Sequence, residues 1–277
     1  ADLLAAKDML EHRVAERTAQ LTQELSERRR AERELEHRNA ELVHINRELD
    51  DFAYIASHDL KEPLRGIHNY SRFLIEDYGP RFSEDGRAKL QTLSRLSRRM
   101  ETLIDSLLQY SRLGRVDLAL EPVDVQEVVE DVVERLAISL REQHVEVRIP
   151  RRLPVVRSDR VRLTEVFANL VTNAIRYNDK PQRWIEIGVV ETPRRGAGDA
   201  AREPTFYVRD NGIGIPDRHL ETVFRIFKRL HARDQYGGGT GAGLTIVRKI
   251  IERHNGRVWI ESTLGEGTTV FFTLKGE

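Results

Sequence analysis

The chain of 277 residues has no cysteine, few aromatic residues (6%) and no net charge, with 45 Lys and Arg against 45 Asp and Glu. Without cysteine it has neither disulfides nor thiolate metal sites, which fits a reducing cytoplasm, the expected location. The balance of charge argues against a polyanionic partner. Even Arg28-Arg29-Arg30 sits in a stretch, residues 1 to 50, with nine Lys and Arg against twelve Asp and Glu, so no nucleic acid is expected. No apolar run of about 18 residues and no signal peptide is found, so the piece reads as soluble, with no membrane segment. The P-loop is absent too: no Gly-Lys-Ser/Thr stands at the required spacing. Gly237, Gly239 and Ala242 fit a relaxed dinucleotide fingerprint, but residues 228–236 before them are too polar for the buried strand it needs.

Two glycine segments are present. Asp210-Asn211-Gly212-Ile213-Gly214-Ile215 follows the β-rich run 205–209, and 237–244 leads into a helical pattern from Leu244 to Glu252. A carboxylate after a strand can accept a hydrogen bond from an exocyclic amine. Glycine lets the backbone approach a ligand closely, and free amides at a helix start suit phosphate. A third segment, 159–177, has apolar residues at 163, 166, 167, 170, 171, 174 and 175, a helical spacing. Glu165, Asn169, Asn173 and Arg176 then share the opposite face. Two mid-helix asparagines one turn apart are poor for helix stability, whereas carboxamide oxygens suit Mg²⁺ and Arg176 suits phosphate. Together these patterns point to ATP.

Upstream, 56–67 contains His58-Asp59-Leu60-Lys61-Glu62-Pro63. Imidazole can accept a phosphoryl group through one nitrogen while the other donates to a carboxylate, for which Asp59 is the neighbour. A heptad seam through 35, 39, 42, 46, 49, 53, 56, 60 and 63 leaves residue 58 outside it, so His58 is expected to face solvent. Pro63 cannot donate to the Asp59 carbonyl, which predicts a bend just after the histidine. A second helix, roughly 87–112, carries Leu90, Leu93, Leu96, Met100, Leu103, Ile104, Leu107 and Leu108 along one side. Two such stripes need a second copy of the chain, which predicts a four-helix bundle and a homodimer.

Taken in order, these segments resemble the H, N, G1, F (Phe224-Arg225-Ile226-Phe227) and G2 boxes of sensor histidine kinases of two-component systems, over about residues 48–277. The ATP-binding fold of that family resembles those of gyrase and the mismatch-repair ATPases. The resemblance implies that His58 is phosphorylated by ATP with Mg²⁺, assisted by Asp59, and passes the phosphoryl group to an aspartate on a response regulator. It also implies that Asn173 is the Mg²⁺ ligand, that Asn169 supports phosphates and metal, that Asp210 holds the adenine amine and that Tyr177 packs near the base. Arg176, Gly212, Gly214, Gly239, Thr240, Gly241, Gly243 and Leu244 complete the nucleotide site, with Lys228, Arg229 and residues 231–243 as the ATP lid. Within the family, the H box and residues 227–236 look most like kinases attached to phytochrome photoreceptors. An alternative output is dephosphorylation of the regulator. Related kinases with phosphatase activity typically place Thr or Asn four residues after the histidine, where Glu62 stands here. A third reading is a nucleotide-binding dimerisation module without transfer chemistry.

The expected organisation is a coiled-coil signalling helix (1–47), a dimerisation and phosphotransfer hairpin (48–116) and a catalytic ATP-binding domain (117–277). Overall this is an α+β architecture that ends in an α/β sandwich. The first segment has no Gly or Pro. Its seam, 10, 14, 18, 21, 25, 28, 32, 35, 39, 42, 46 and 49, holds five polar residues in twelve, including Asn39 and Asn46. Such a seam is weak and easily shifted, which suits a parallel coiled coil relaying a signal from an upstream sensor domain, or a passive clamp. Strands are expected at 145–149, 184–190, 205–209, 257–262 and 268–274, and an interdomain hinge at 112–121.

Overall fold

The computed structural model describes residues 2–113, 118–193, 202–228, 230 and 240–275. It divides into two units, 1–56 and 57–277. The predicted connection 194–201, most of the lid and residues 114–117 of the hinge lie outside the described residues.

The first unit is helical, part of α1 (Asp2–Tyr78). With no Gly or Pro in its first fifty residues, nothing interrupts the backbone ladder. Its surface is laced by i,i+4 pairs such as Arg28–Glu32 (3.1 Å) and Arg38–Glu34 (3.7 Å). Each such pair is worth only about 0.3–0.5 kcal/mol. Leu21, Leu25, Leu35 and Leu42, all seam positions, are 46–72% exposed.

In the second unit α1 continues to Tyr78, with Pro63 inside it, and a short 3-10 turn (Gly79–Arg81) leads to α2 (Glu84–Arg112). Ser83 caps α2 by accepting the Gly86 N–H at 3.2 Å. Among the described residues of the hairpin, Leu64, Ile104 and Leu108 form the buried apolar cluster. Leu60, Ile67, Leu74, Leu93, Leu96 and Met100 remain exposed. One hairpin therefore buries too little apolar surface to hold itself.

The rest is an α/β sandwich. Its five-stranded sheet has the order β2 (Val145–Arg148), β4 (Arg183–Pro193), β5 (Arg202–Asp210), β7 (Gly267–Thr273), β6 (Val258–Thr263). β2 and β4 are parallel and the other pairs antiparallel, so the sheet is mixed. Alternation along the strands sends Ile185, Ile187, Phe206, Val208, Val270 and Phe272 into the core. Their neighbours Tyr207, Phe271 and Trp259 stack on the other face. The core is closed by α3 (Val125–Arg135), α5 (Arg160–Arg176) and α6 (Gly243–Arg253), with short α4 (Ala137–Glu142) beside β2. Phe167 of α5 sits at the centre, edge-on to Phe206 (6.5 Å) and Phe272 (5.5 Å). Full burial of each such ring stabilises by roughly 2–3 kcal/mol.

Two features depart from the sequence reading. β1 (Glu121–Asp124) and β3 (Val155–Ser158) form a separate antiparallel ribbon that was not anticipated. Four-residue strands containing Pro122, Arg157 and Ser158 carry too few apolar positions to show a period of two. The hinge is also shorter than expected at its start. Leu113 is 1% exposed in the core of the sandwich, and its carbonyl accepts Arg253 Nη1 at 2.6 Å.

Candidate active site

The apolar stripe of α5 is buried at Leu163, Val166, Phe167, Leu170, Val171, Ala174 and Ile175. Its start is fixed by Asp159, which accepts the Arg162 N–H at 3.0 Å. That burial turns the other face toward a cavity of about 550 Å³ lined by Glu165, Asn169, Asn173, Arg176 and Tyr177. Asn169 Nδ2 donates to the Glu165 carbonyl at 2.8 Å, which leaves its oxygen free to turn inward. The Asn173 carboxamide has no hydrogen-bond partner among the described residues.

Opposite stands the start of α6. Its first helical bond runs from Ile246 N to Ala242 O (2.9 Å), so the N–H groups of Gly243, Leu244 and Thr245 have no helical acceptor. A Cβ on Gly243 would lie 3.0 Å from Asn169 Oδ1, so glycine lets α6 approach the two carboxamides. Gly241 has φ +76°, a left-handed turn into the helix. Its carbonyl accepts the N–H of Phe227, itself at φ +59° (3.1 Å), which ties residue 227 to the turn before α6. Lys228, Thr240, Gly241, Gly243 and Leu244 line the cavity, whereas Arg229 and Gly239 lie outside the described residues.

Asp210 closes the far wall, at the end of β5. Burial pushes its carboxyl up to about 6, against the opposing pull of Gly212 N–H (2.8 Å) and Thr268 N–H (3.3 Å) on Oδ1. Gly214 lines the cavity at φ +70°, and a Cβ there would sit 2.1 Å from the Thr263 carbonyl. Gly212 does not line it. Its place is structural: a Cβ would collide with the Tyr177 carbonyl at 2.2 Å, and that carbonyl accepts Ile213 N–H at 3.0 Å.

His58 and Asp59 are not part of this cavity. His58 is exposed on α1, its side chain 73% accessible, with Nδ1 at 3.3 Å from Asp59 Oδ1. It lines a second cleft, of about 440 Å³, between the hairpin helices.

The chemistry available is thus a cavity of about 550 Å³ with the acids Glu165 and Asp210 in its wall, carboxamides facing helix-start amides, and an exposed imidazole elsewhere. Residues 158–277 match the family described as histidine kinase-, DNA gyrase B- and HSP90-like ATPase, and residues 48–115 the His Kinase A (phospho-acceptor) domain. The chain belongs to the histidine kinases. This kinase chain is 59% identical over 242 residues to cyanobacterial phytochrome B of Nostoc sp., with 87% of the chain and 31% of the relative aligned. It is 38% identical over 234 residues to the phytochrome-like protein Cph1 of Synechocystis sp., covering 84% and 30%. The chain spans about a third of the length of these curated relatives. Among solved structures, full-length ShkA in complex with AMPPNP aligns with a TM-score of 0.59 at 22% identity, over 81% of this chain and 45% of that one. That likeness is one of fold.

Several contributors to the kinase site escaped the sequence reading. Thr102, Ser106 and Gln109 of α2 form part of the cavity wall, and Gln109 Nε2 donates to Glu165 Oε1 at 2.6 Å. Thr268 lines the cavity, and Ser262 Oγ accepts Ile215 N–H at 2.8 Å. Asn211, inside the first glycine box, is a brace: it accepts from Asn178 Nδ2 and Trp184 N–H, both at 2.9 Å. A threonine just after Gly267 at a strand start was the one local signal. The α2 wall, more than fifty residues away, gave none. No helix of the described residues is long and apolar enough to cross a membrane.

Proposed function

We propose that the chain is the effector module of a sensor kinase: it binds ATP, phosphorylates His58 and passes the phosphoryl group to an aspartate of a response-regulator receiver domain. The observation that carries this is the His58–Asp59 contact. Nδ1 engaged with the Asp59 carboxylate leaves Nε2 as the exposed nitrogen with a lone pair. Nε2 attacks the γ-phosphorus, an N–P bond forms, and the β–γ bridging P–O bond breaks with its electron pair leaving on ADP. The ring then carries a positive charge, and Asp59 is placed to take the Nδ1 proton.

Nucleotide binding assigns roles by chemistry. Asp210 accepts the exocyclic amine of adenine, Tyr177 lies beside the base, and Arg176, Lys228 and the amides of Gly243 and Leu244 meet phosphate. The donor set fits Mg²⁺ carried by a nucleotide. Asn173 and Asn169 offer neutral hard oxygens, and among the described residues no group of three His, Cys, Asp or Glu could hold a metal unaided. When bound, Mg²⁺ supplies neutralisation of phosphate charge. Because ATP and His58 occupy separate cavities, the reaction requires the domains to move.

The exposed leucine seams of both units support a homodimer, the phytochrome relatives support an upstream photosensory domain, and the lack of cysteine fits a cytoplasmic setting. The test is labelled ATP on wild type and His58→Gln, reading acid-labile, base-stable label; label retained by the variant overturns the assignment. Glu62, exposed in the His58 cleft, keeps regulator dephosphorylation as a second reading, tested by loss of label from phosphorylated regulator with and without ADP.

A further inference from the structure

The cleft beside His58 holds two cations that the chemistry above leaves unused. Lys61 and Arg65 follow His58 by three and seven residues, which puts all three on one face of α1. Lys61, its side chain 30% exposed, is ion-paired with Asp105 of α2. Arg65 has no hydrogen-bond or ion-pair partner among the described residues. Glu62, Glu101 and Asp105 supply the acidic side of the same cleft. Before phosphorylation, then, the cation nearest to the imidazole along the helix is held by a carboxylate.

A phosphoryl group on His58 brings nearly two negative charges to a point one helical turn from Lys61. An ammonium already neutralised by Asp105 has less attraction to offer it. We propose that Lys61 is a positioning residue that turns from Asp105 to the phosphoryl group on His58, so that Asp105, by competing for it, sets how much phosphohistidine accumulates. This rests on His58 being the acceptor. Since a group shifts an equilibrium only through its different affinity for the two states, the effect belongs to the balance between ATP plus histidine and ADP plus phosphohistidine. Arg65, two turns away, adds a weaker and uncontested attraction.

The experiment measures the phosphorylated fraction of the chain at a fixed ATP to ADP ratio, with labelled nucleotide, in wild type, Lys61→Ala, Lys61→Arg, Asp105→Asn and the double variant Lys61→Ala/Asp105→Asn. Asp105→Asn is expected to raise the ratio of phosphorylated to free chain about fivefold and Lys61→Ala to lower it by a similar factor, the scale of an exposed ion pair. Lys61→Arg should stay within about twofold of wild type. In the Lys61→Ala background, Asp105→Asn should change the ratio by less than about twofold, since the cation that Asp105 holds is gone. A bridge that only holds the helices together would make both single variants move the same way, and that result overturns the proposal. So does an Asp105→Asn effect of equal size with and without Lys61. A wild-type chain that takes no label overturns the assignment of His58 instead, whereas a labelled wild type unmoved by these substitutions overturns only the role of Lys61.

Discussion

Asp210 Oδ1 accepts the Gly212 N–H at 2.8 Å, yet burial outweighs that bond and pushes the Asp210 carboxyl up to about 6. A folded-state value above the ordinary 3.8 means that the fold favours the neutral acid. That contribution is complete below pH 3.8 and is lost as pH rises through about 6. At neutral pH the nucleotide-free domain therefore holds an ionised acid at a cost of about 3 kcal/mol. Asp210→Asn should raise stability in urea at pH 8 by up to this amount, with the gain shrinking below pH 6. ATP affinity of the wild type should fall as pH drops through about 6, a titration calorimetry measurement, because the protonated acid is a poorer acceptor.

Gly214 and Gly265 both have positive φ, +70° and +85°, but differ in their surroundings. A Cβ at Gly214 meets the Thr263 carbonyl at 2.1 Å, whereas at Gly265 it meets nothing within 4 Å. Gly265→Ala should cost only the left-handed conformation, about 1–2 kcal/mol. Gly214→Ala adds a backbone collision and should cost about 3 kcal/mol or more. Paired urea unfolding curves check the difference, and equal costs would contradict it.

His254, at the C-terminal end of α6, is 2% exposed. Its Nδ1–H donates to the Ile250 carbonyl at 2.9 Å, and Nε2 accepts the Asp159 N–H at 3.3 Å. Burial holds the imidazole below its usual range. A depressed value means that stability is present above the unfolded pKa of 6.5 and is lost as pH falls below it. His254→Gln should destabilise at pH 8 by about 1–3 kcal/mol for the disturbed hydrogen bonds. It should also flatten the decline in melting temperature that the wild type shows on acidification from pH 7 to 5.5.

The Asn173 carboxamide, in the last turn of α5, has no hydrogen-bond partner among the described residues. Alanine is the better helix former, so Asn173→Ala should stabilise the nucleotide-free fold by about 0.5 kcal/mol. The same change should weaken Mg²⁺-dependent ATP binding at least about tenfold, a loss of roughly 1.4 kcal/mol. A variant that loses stability and binding together would instead make Asn173 a structural residue.

What could be read from the sequence follows the range of the interactions. The α5 stripe could be read position by position, because burial of seven residues at helical spacing writes itself into a single local period. The five sheet strands could be read for the same reason, while the β1–β3 ribbon, four residues a side, could not. Glycines at 214, 241 and 243 stood out because backbone approach and left-handed turns admit almost nothing else. Gly212 stood out equally and proved to serve the Tyr177 carbonyl rather than the cavity. Gln109 left no trace, because a polar residue on an exposed helix face looks the same whether it faces water or Glu165 fifty-six residues on.

The seating of Leu113 also sets how movement can travel. With its side chain clasped by the sandwich and its carbonyl held by Arg253, the last turn of α2 is built into the nucleotide-binding body. A twist of that helix would be felt at Gln109, whose bond to Glu165 ties α2 to the wall of the cavity, so that wall registers what the hairpin does.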